Sequence, residues 1–197
     1  PRVRRQRQMC IRDSPMTVIV TGATSFIGRA VVKALLEEGC RVVAVSRPAS
    51  AGAGKLQELF EDLKKQAGAE KKVFGSLELC FCELGEIEKL EKIYKKEELQ
   101  AKAWLHLGWD GAGSDKRKDV KLQEKNIGYA LQALHTAAAL GCKRFLFSGS
   151  QAEYGICNEW MKEEQECHPV SEYGKDKVLV YQPVSYTHLT LPTNSRV

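Results

Sequence analysis

Tyr173-Gly174-Lys175-Asp176-Lys177 sets a phenol and an ammonium four residues apart. On a helix that spacing puts both side chains on one face, where the positive charge favours the phenolate and the phenol can exchange a proton near neutral pH. Upstream, Phe145-Leu146-Phe147-Ser148-Gly149-Ser150 reads as a buried strand that ends in hydroxyls. Such an end places Ser150 where it could hydrogen-bond a carbonyl or alcohol that is being reduced or oxidised. Ser150, Tyr173 and Lys177 are therefore the candidate catalytic residues. The Tyr-to-Lys spacing alone occurs on many solvated helix faces. Its weight here comes from its place after the fifth strand of a nucleotide-binding pattern.

That pattern begins with Val18-Ile19-Val20-Thr21-Gly22-Ala23-Thr24-Ser25-Phe26-Ile27-Gly28, an apolar strand running into glycines and then an amphipathic helix expected over Arg29 to Glu38. Gly22 permits a tight turn after the strand, and Gly28 lets the helix pack closely on the sheet. Ser25 stands where a middle glycine is usual. The turn, from Gly22 through Ser25, Phe26, Ile27 and Gly28, would present a helix N-terminus to the pyrophosphate of a dinucleotide. At the end of the second strand, where an NAD-specific site usually offers an acid to the adenosine ribose, this chain has Ser46-Arg47. The cofactor is expected to be NAD or NADP; the Arg47 guanidinium matches a 2′-phosphate, which favours NADP, while a surface arginine facing water is the other reading of that position.

These residues need a scaffold. Strands are expected near Thr17 to Val20, Arg41 to Val45, Leu77 to Cys82, Ala103 to Leu107 and Arg144 to Ser148, separated by helical patterns, with a central helix over Lys121 to Leu140. The alternation predicts an α/β fold: a Rossmann-type, doubly wound parallel sheet that binds ligands at the carboxyl ends of its strands.

The ends read differently. Translation of CGT CGG CAG CGT CAG ATG TGT ATA AGA GAC gives Arg4 through Asp13, and the reverse complement, read in the corresponding frame, gives Val184 through Thr193. The duplex resembles a transposase adapter used to prepare sequencing libraries, so residues 1–14 and 183–197 are expected to be read-through and 15–182 to be the nucleotide-binding domain. The formal charge of +5 then disappears. Arg2, Arg4, Arg5, Arg7, Arg12 and Arg196 leave the basic count and Asp13 leaves the acidic one, so 24 basic residues balance 24 acidic. No nucleic-acid partner is expected, because lysines such as Lys64-Lys65 and Lys95-Lys96 sit among glutamates as solvated helix faces. No apolar run approaches the roughly 20 residues of a membrane helix, and the cysteines form neither a CxxC pair nor a four-ligand metal set. A reducing cytoplasm is the expected compartment.

Taken together, Thr21 to Gly28, the His106-Leu107-Gly108 strand end, Asn126, Ser148 to Gly155 and the Tyr173/Lys177 pair resemble the extended short-chain dehydrogenase/reductase family, in its NAD-dependent epimerase/dehydratase branch that acts on nucleotide sugars. The resemblance covers essentially all of Pro15 to Gln182. It implies Tyr173 as general acid/base, Lys177 as its partner and ribose ligand, and Ser150 as donor to the substrate oxygen. Leu107 and Gly108 would line the cofactor by backbone, and Glu83-Leu84 would approach the adenine. The family usually has Asp at Glu83 and glycine at Ser25. Its sugar 4,6-dehydratases carry an Asp-Glu pair after the catalytic hydroxyl, where this chain has Gln151-Ala152, so epimerisation or keto-sugar reduction is expected in preference to dehydration. Glu153 is offset by one residue. The resemblance further implies a smaller C-terminal domain that holds the nucleotide sugar, beyond the point where this sequence stops, and admits a homodimer of the full-length protein. The rival reading is a non-catalytic dinucleotide-binding sensor or scaffold on the same fold, against which Ser150, Tyr173 and Lys177 together speak.

Among the remaining candidates, Trp104, Trp109 and Trp160 all fit ordinary packing, and Trp109 alone, following a strand's carboxyl end, also fits stacking on a ligand. His106, inside an apolar strand, reads as a hydrogen-bonded structural residue. Asn126 reads as a helix residue that positions water or backbone near the site.

Overall fold

The computed structural model describes residues 15–186 apart from 49, 114, 159 and 163. The apolar runs form five strands: β1 (Thr17–Thr21), β2 (Arg41–Ser46), β3 (Ser76–Phe81), β4 (Ala101–His106) and β5 (Arg144–Phe147). All pair in parallel, in the order β3-β2-β1-β4-β5. Five helices alternate with them: α1 (Phe26–Glu37), α2 (Gly52–Glu70), α3 (Lys89–Lys96), α4 (Val120–Ala139) and α5 (Glu172–Tyr186). This is the doubly wound sheet that the alternation predicts.

The strand pleat sorts the core into two layers. Val18 and Val20 of β1 join Val42 and Ala44 of β2 with Val32 and Leu36 of α1 and Leu56 of α2. Ile19, Val43, Val45 and Trp104 face the other way, onto Leu90 and Tyr94 of α3 and Ala133 and Ala137 of α4. Every β1 residue is buried, as befits a central parallel strand covered on both faces. Each fully buried Val or Leu in these layers contributes about 1.5–3 kcal/mol.

Helix α1 starts three residues before the expected Arg29. The reason is local: Ser25 is its N-cap, with Oγ accepting from the Gly28 amide at 3.0 Å, and a satisfied N-cap fixes the first turn. At the other end of the chain, the expected boundary after Gln182 falls within α5, which runs on to Tyr186. Residues 1–14 and 187–197 of the expected flanks lie outside the described residues. Among the described residues no helix is long and apolar enough to cross a membrane, and no group of three or more His, Cys, Asp or Glu side chains could hold a metal.

The winding reverses at β1. From β1 the chain builds outward through β2 to β3, then returns to lay β4 on the free side of β1. Thr21 pairs with His106, Leu107 N donates to Thr21 O at 3.2 Å, and Ser148 N donates to His106 O at 3.2 Å. The carboxyl ends of β1, β4 and β5 therefore stand side by side, which is where such sheets open a ligand crevice.

Gly22 makes the reversal possible. Its φ is +69°, and a Cβ there would lie 2.7 Å from the Gly108 nitrogen and 2.8 Å from the Leu107 carbonyl carbon. A Cβ on Gly28 would meet the Gly22 carbonyl oxygen and Ala23 backbone. Both clashes are with backbone, so no side chain can give way. Gly22→Ala is expected to lower the unfolding free energy by about 3 kcal/mol, read as a fall in the urea midpoint with an unchanged slope.

Candidate active site

A crevice of about 550 Å³ opens at the reversal point, lined from β1 and α1 by Gly22, Ser25, Phe26 and Ile27, from β2 by Arg47, and from β4 by Leu107 and Gly108. Its opposite end is formed by Trp109, Ser148, Tyr173 and Lys177. One end has the donors that can hold an anion. The first amides of α1 have no partner inside the helix, and the helix dipole adds positive potential there. The Ser25 hydroxyl takes the Gly28 amide, which leaves the Phe26 and Ile27 amides as the helix-end donors beside the crevice. The turn is held from behind by Arg29, whose guanidinium donates to Thr24 O at 2.7 Å, and by a hydrogen bond of 3.0 Å between the Thr24 and Ser50 hydroxyls.

At the other end Tyr173 and Lys177 are both buried, at 7% and 3% exposure. Lys177 Nζ donates to the Ser148 carbonyl at 2.7 Å. It also lies 4.0 Å from the centre of the Trp109 ring, 4.3 Å from that of Phe147 and 5.7 Å from that of Tyr173. Loss of water pushes the ammonium down to about 8, with the Glu153 carboxylate opposing the shift. The Tyr173 ring meets Trp109 edge-on at 5.9 Å, and the Arg117 guanidinium carbon sits 4.8 Å from its centre.

Two buried amides of α4 hold the loop that follows β4. Asn126 brackets Asp110, accepting from its N–H at 2.8 Å and donating to its carbonyl at 2.9 Å. Gln123 accepts from the Trp109 indole at 2.8 Å and donates to Gly111 O and Lys116 O at 3.1 and 3.0 Å. His106, just before the loop, shares a 2.9 Å hydrogen bond with the Thr21 hydroxyl and stacks with both Phe145 and Phe147. Burial, helped by the Lys177 charge, holds its imidazole down to about 3.

The sequence model of the NAD-dependent epimerase/dehydratase family matches residues 18–190. The chain belongs to that family. A UDP-glucose 4-epimerase of Cyamopsis tetragonoloba is 27% identical over 169 residues, 85% of this chain and 46% of that protein. A dTDP-6-deoxy-L-talose 4-dehydrogenase (NAD(+)) of Aggregatibacter actinomycetemcomitans is 30% identical over 168 residues, 85% of this chain and 53% of its own length. Among solved structures, the UDP-glucose 4-epimerase from Brucella ovis in complex with NAD superposes with a TM-score of 0.68 at 18% identity, over 86% of this chain and 47% of that one, a likeness of fold. The chain spans about half the length of the curated relatives it matches.

Within this epimerase/dehydratase-family chain, Gly22, Ser25, Phe26, Ile27, Arg47, Leu84, Leu107, Gly108, Tyr173 and Lys177 all line one crevice. Gly28 is buried behind it as a packing residue. Glu83 is exposed and outside the lining, and the neighbouring Cys82 takes a place in the wall instead. Ser150 is also outside the lining. Its hydroxyl accepts from Ala152 N at 3.2 Å, and its own amide donates to the Glu153 carboxylate. Glu153, 8% exposed, is thereby committed to a capping box. The pairing of Ser150 with a Glu three residues later is the sequence signal for that box. Gln123 and Arg117 carried no such signal, because their partners lie across a loop.

His106 sets a pH dependence. Its folded value lies below the unfolded one near 6.5, so the unfolded chain binds the extra proton and stability falls as pH drops. The loss is about 1.4 kcal/mol per pH unit from pH 6.5 towards about 3. Urea unfolding across that window should show a slope one proton steeper for the wild type than for His106→Gln; equal slopes would place the proton elsewhere.

Proposed function

We propose that the full-length protein is an NAD(P)-dependent nucleotide-sugar epimerase or keto-sugar reductase. The observation that carries this reading is the buried Tyr173/Lys177 pair at one end of a crevice whose other end is a glycine turn and a helix N-terminus. The named relatives, a 4-epimerase and a 4-dehydrogenase of nucleotide sugars, support it. A bound dinucleotide would supply the hydride acceptor or donor. The amides of Phe26 and Ile27 would hold its pyrophosphate, with Gly22, Leu107 and Gly108 presenting backbone along it and Leu84 beside the base.

Tyr173 would take the proton of the sugar hydroxyl on oxidation and return it on reduction. Lys177, fixed on the Ser148 carbonyl, stabilises negative charge as it develops on the phenol oxygen. Ser150 donates to the substrate oxygen through the hydroxyl hydrogen that no described residue accepts. Dehydration is disfavoured on two grounds. Gln151 and Ala152 carry no acid/base group, and the Glu153 carboxylate is occupied by the Ser150 amide. The sensor reading has no use for a desolvated lysine beside a buried phenol.

The finer cofactor preference rests on Arg47. It is exposed at the crevice wall, and among the described residues no carboxylate pairs with it, so it is available to a 2′-phosphate.

Two variants test these readings. Tyr173→Phe in the full-length protein should lower turnover by at least about 100-fold while dinucleotide affinity stays within about threefold; undiminished turnover would sink the acid/base role. Arg47→Ala should weaken NADP about tenfold and leave NAD unchanged, measured by cofactor titration. Equal effects on both would remove the NADP preference.

A further inference from the structure

Gln123 is fully buried, with no exposed surface, and spends its whole amide on one loop. A buried amide is costly unless satisfied. Here the oxygen takes the Trp109 indole N–H and both amide hydrogens go to the carbonyls of Gly111 and Lys116, so one side chain ties the start of the loop to its end. Both ends press on the reactive pair. At the start, the Trp109 ring covers the Lys177 ammonium and meets the Tyr173 edge. At the end, Arg117 lays its guanidinium on the Tyr173 face, anchors its Nε on Ala112 O at 2.9 Å, and accepts the Tyr173 backbone N–H on its carbonyl at 3.1 Å.

We infer that Gln123 is a positioning residue for Tyr173 and Lys177, acting through the Trp109–Arg117 loop; the inference rests on the acid/base role proposed for Tyr173. A leucine in its place fills similar space but leaves an indole N–H and two carbonyls buried without partners. The loop then loses its tie, and water reaches the ammonium that Trp109 shields.

The test uses the full-length protein and two readouts. The first is the kcat-against-KM split, with dinucleotide affinity measured alongside. The second needs no substrate: the pH dependence of Lys177 labelling by an amine-selective reagent, read by mass spectrometry. The charged and titratable groups around that amine are Glu153 from the turn after β5, His106 from β4, Tyr173 from its own helix, and Arg117 across the Tyr173 ring. His106 stays neutral above about pH 3, so it does not titrate in the window used.

For Gln123→Leu the labelling midpoint should rise by about half a pH unit or more towards that of a solvated lysine, which lowers labelling at pH 7 about threefold. In the same variant kcat should fall at least about tenfold while KM and dinucleotide affinity move less than about threefold. An unchanged midpoint with unchanged kcat overturns the inference. So does a parallel loss of dinucleotide affinity and kcat, which would mark general damage to the fold. Should Gln123→Leu show no cooperative thermal transition, Trp109→Phe decides, because it keeps a smaller aromatic ring beside Lys177 and deletes the N–H that Gln123 accepts. A smaller shift in the same direction supports the tie, and no shift overturns it. Failure of the wild type to turn over any nucleotide sugar would overturn the acid/base reading, while the labelling titration would still judge the tie between Gln123 and Lys177.

Discussion

A buried ammonium organises the reactive end of this molecule. Lys177 has lost nearly all its water, and an isolated charge so placed would be untenable. It persists because the Ser148 carbonyl takes a charge-assisted hydrogen bond, two aromatic faces turn towards it, and the Glu153 carboxylate adds an opposing charge from the turn after β5. Those groups come from the end of β5, the turn after it and the loop after β4. Strand β5 must end at Phe147 for its next carbonyl to be free, the loop after β4 must bring Trp109 inward, and α5 must dock with this face against the sheet. Placement of Lys177 therefore constrains three connections at once.

The parallel sheet brings that cation to the anion-binding end. Because all five strands run the same way, every strand-to-helix turn emerges on one side, and the reversal at β1 opens the gap between the turns after β1 and β4. Gly22 sits at the bottom of that gap, pressed on the Leu107–Gly108 backbone. The result is a single trough with a helix N-terminus at one end and the buried Tyr173/Lys177 pair at the other.

Much of this was legible because it is local. The spacing of Tyr173 and Lys177, the glycine turn after an apolar strand, and the arginine just past β2 are statements about neighbours in sequence, and Gly22, Arg47, Tyr173 and Lys177 line one crevice. The five strands were readable for a related reason, since a parallel strand covered on both faces is a short unbroken apolar run. What stayed hidden depends on distant partners. Gln123 looked like any polar residue near the start of a helix until the loop folded back onto it, and Arg117 looked like one charge in a charged loop until Tyr173 arrived beneath it. The start of α1 was missed for a subtler reason: Ser25 was read as a missing glycine when its hydroxyl was serving as the N-cap.

The same substitutions that depart from the family pattern narrow the chemistry. Water elimination calls for an acid and a base in addition to the tyrosine, and the turn after β5 offers neither at Gln151 and Ala152. Glu153 stands next in line, yet its carboxylate is drawn into the protein by the Ser150 amide and left 8% exposed. Moving it towards a substrate would strip the cap from the turn and remove a counter-charge from Lys177. Those penalties fall on the two groups that the proposed reaction needs in place, so the turn can hold Ser150 and steady Lys177, or it can release a second acid/base, but not both. Its geometry holds the first arrangement, which is the one the proposed exchange between an alcohol and a ketone, with Tyr173 moving the proton, requires.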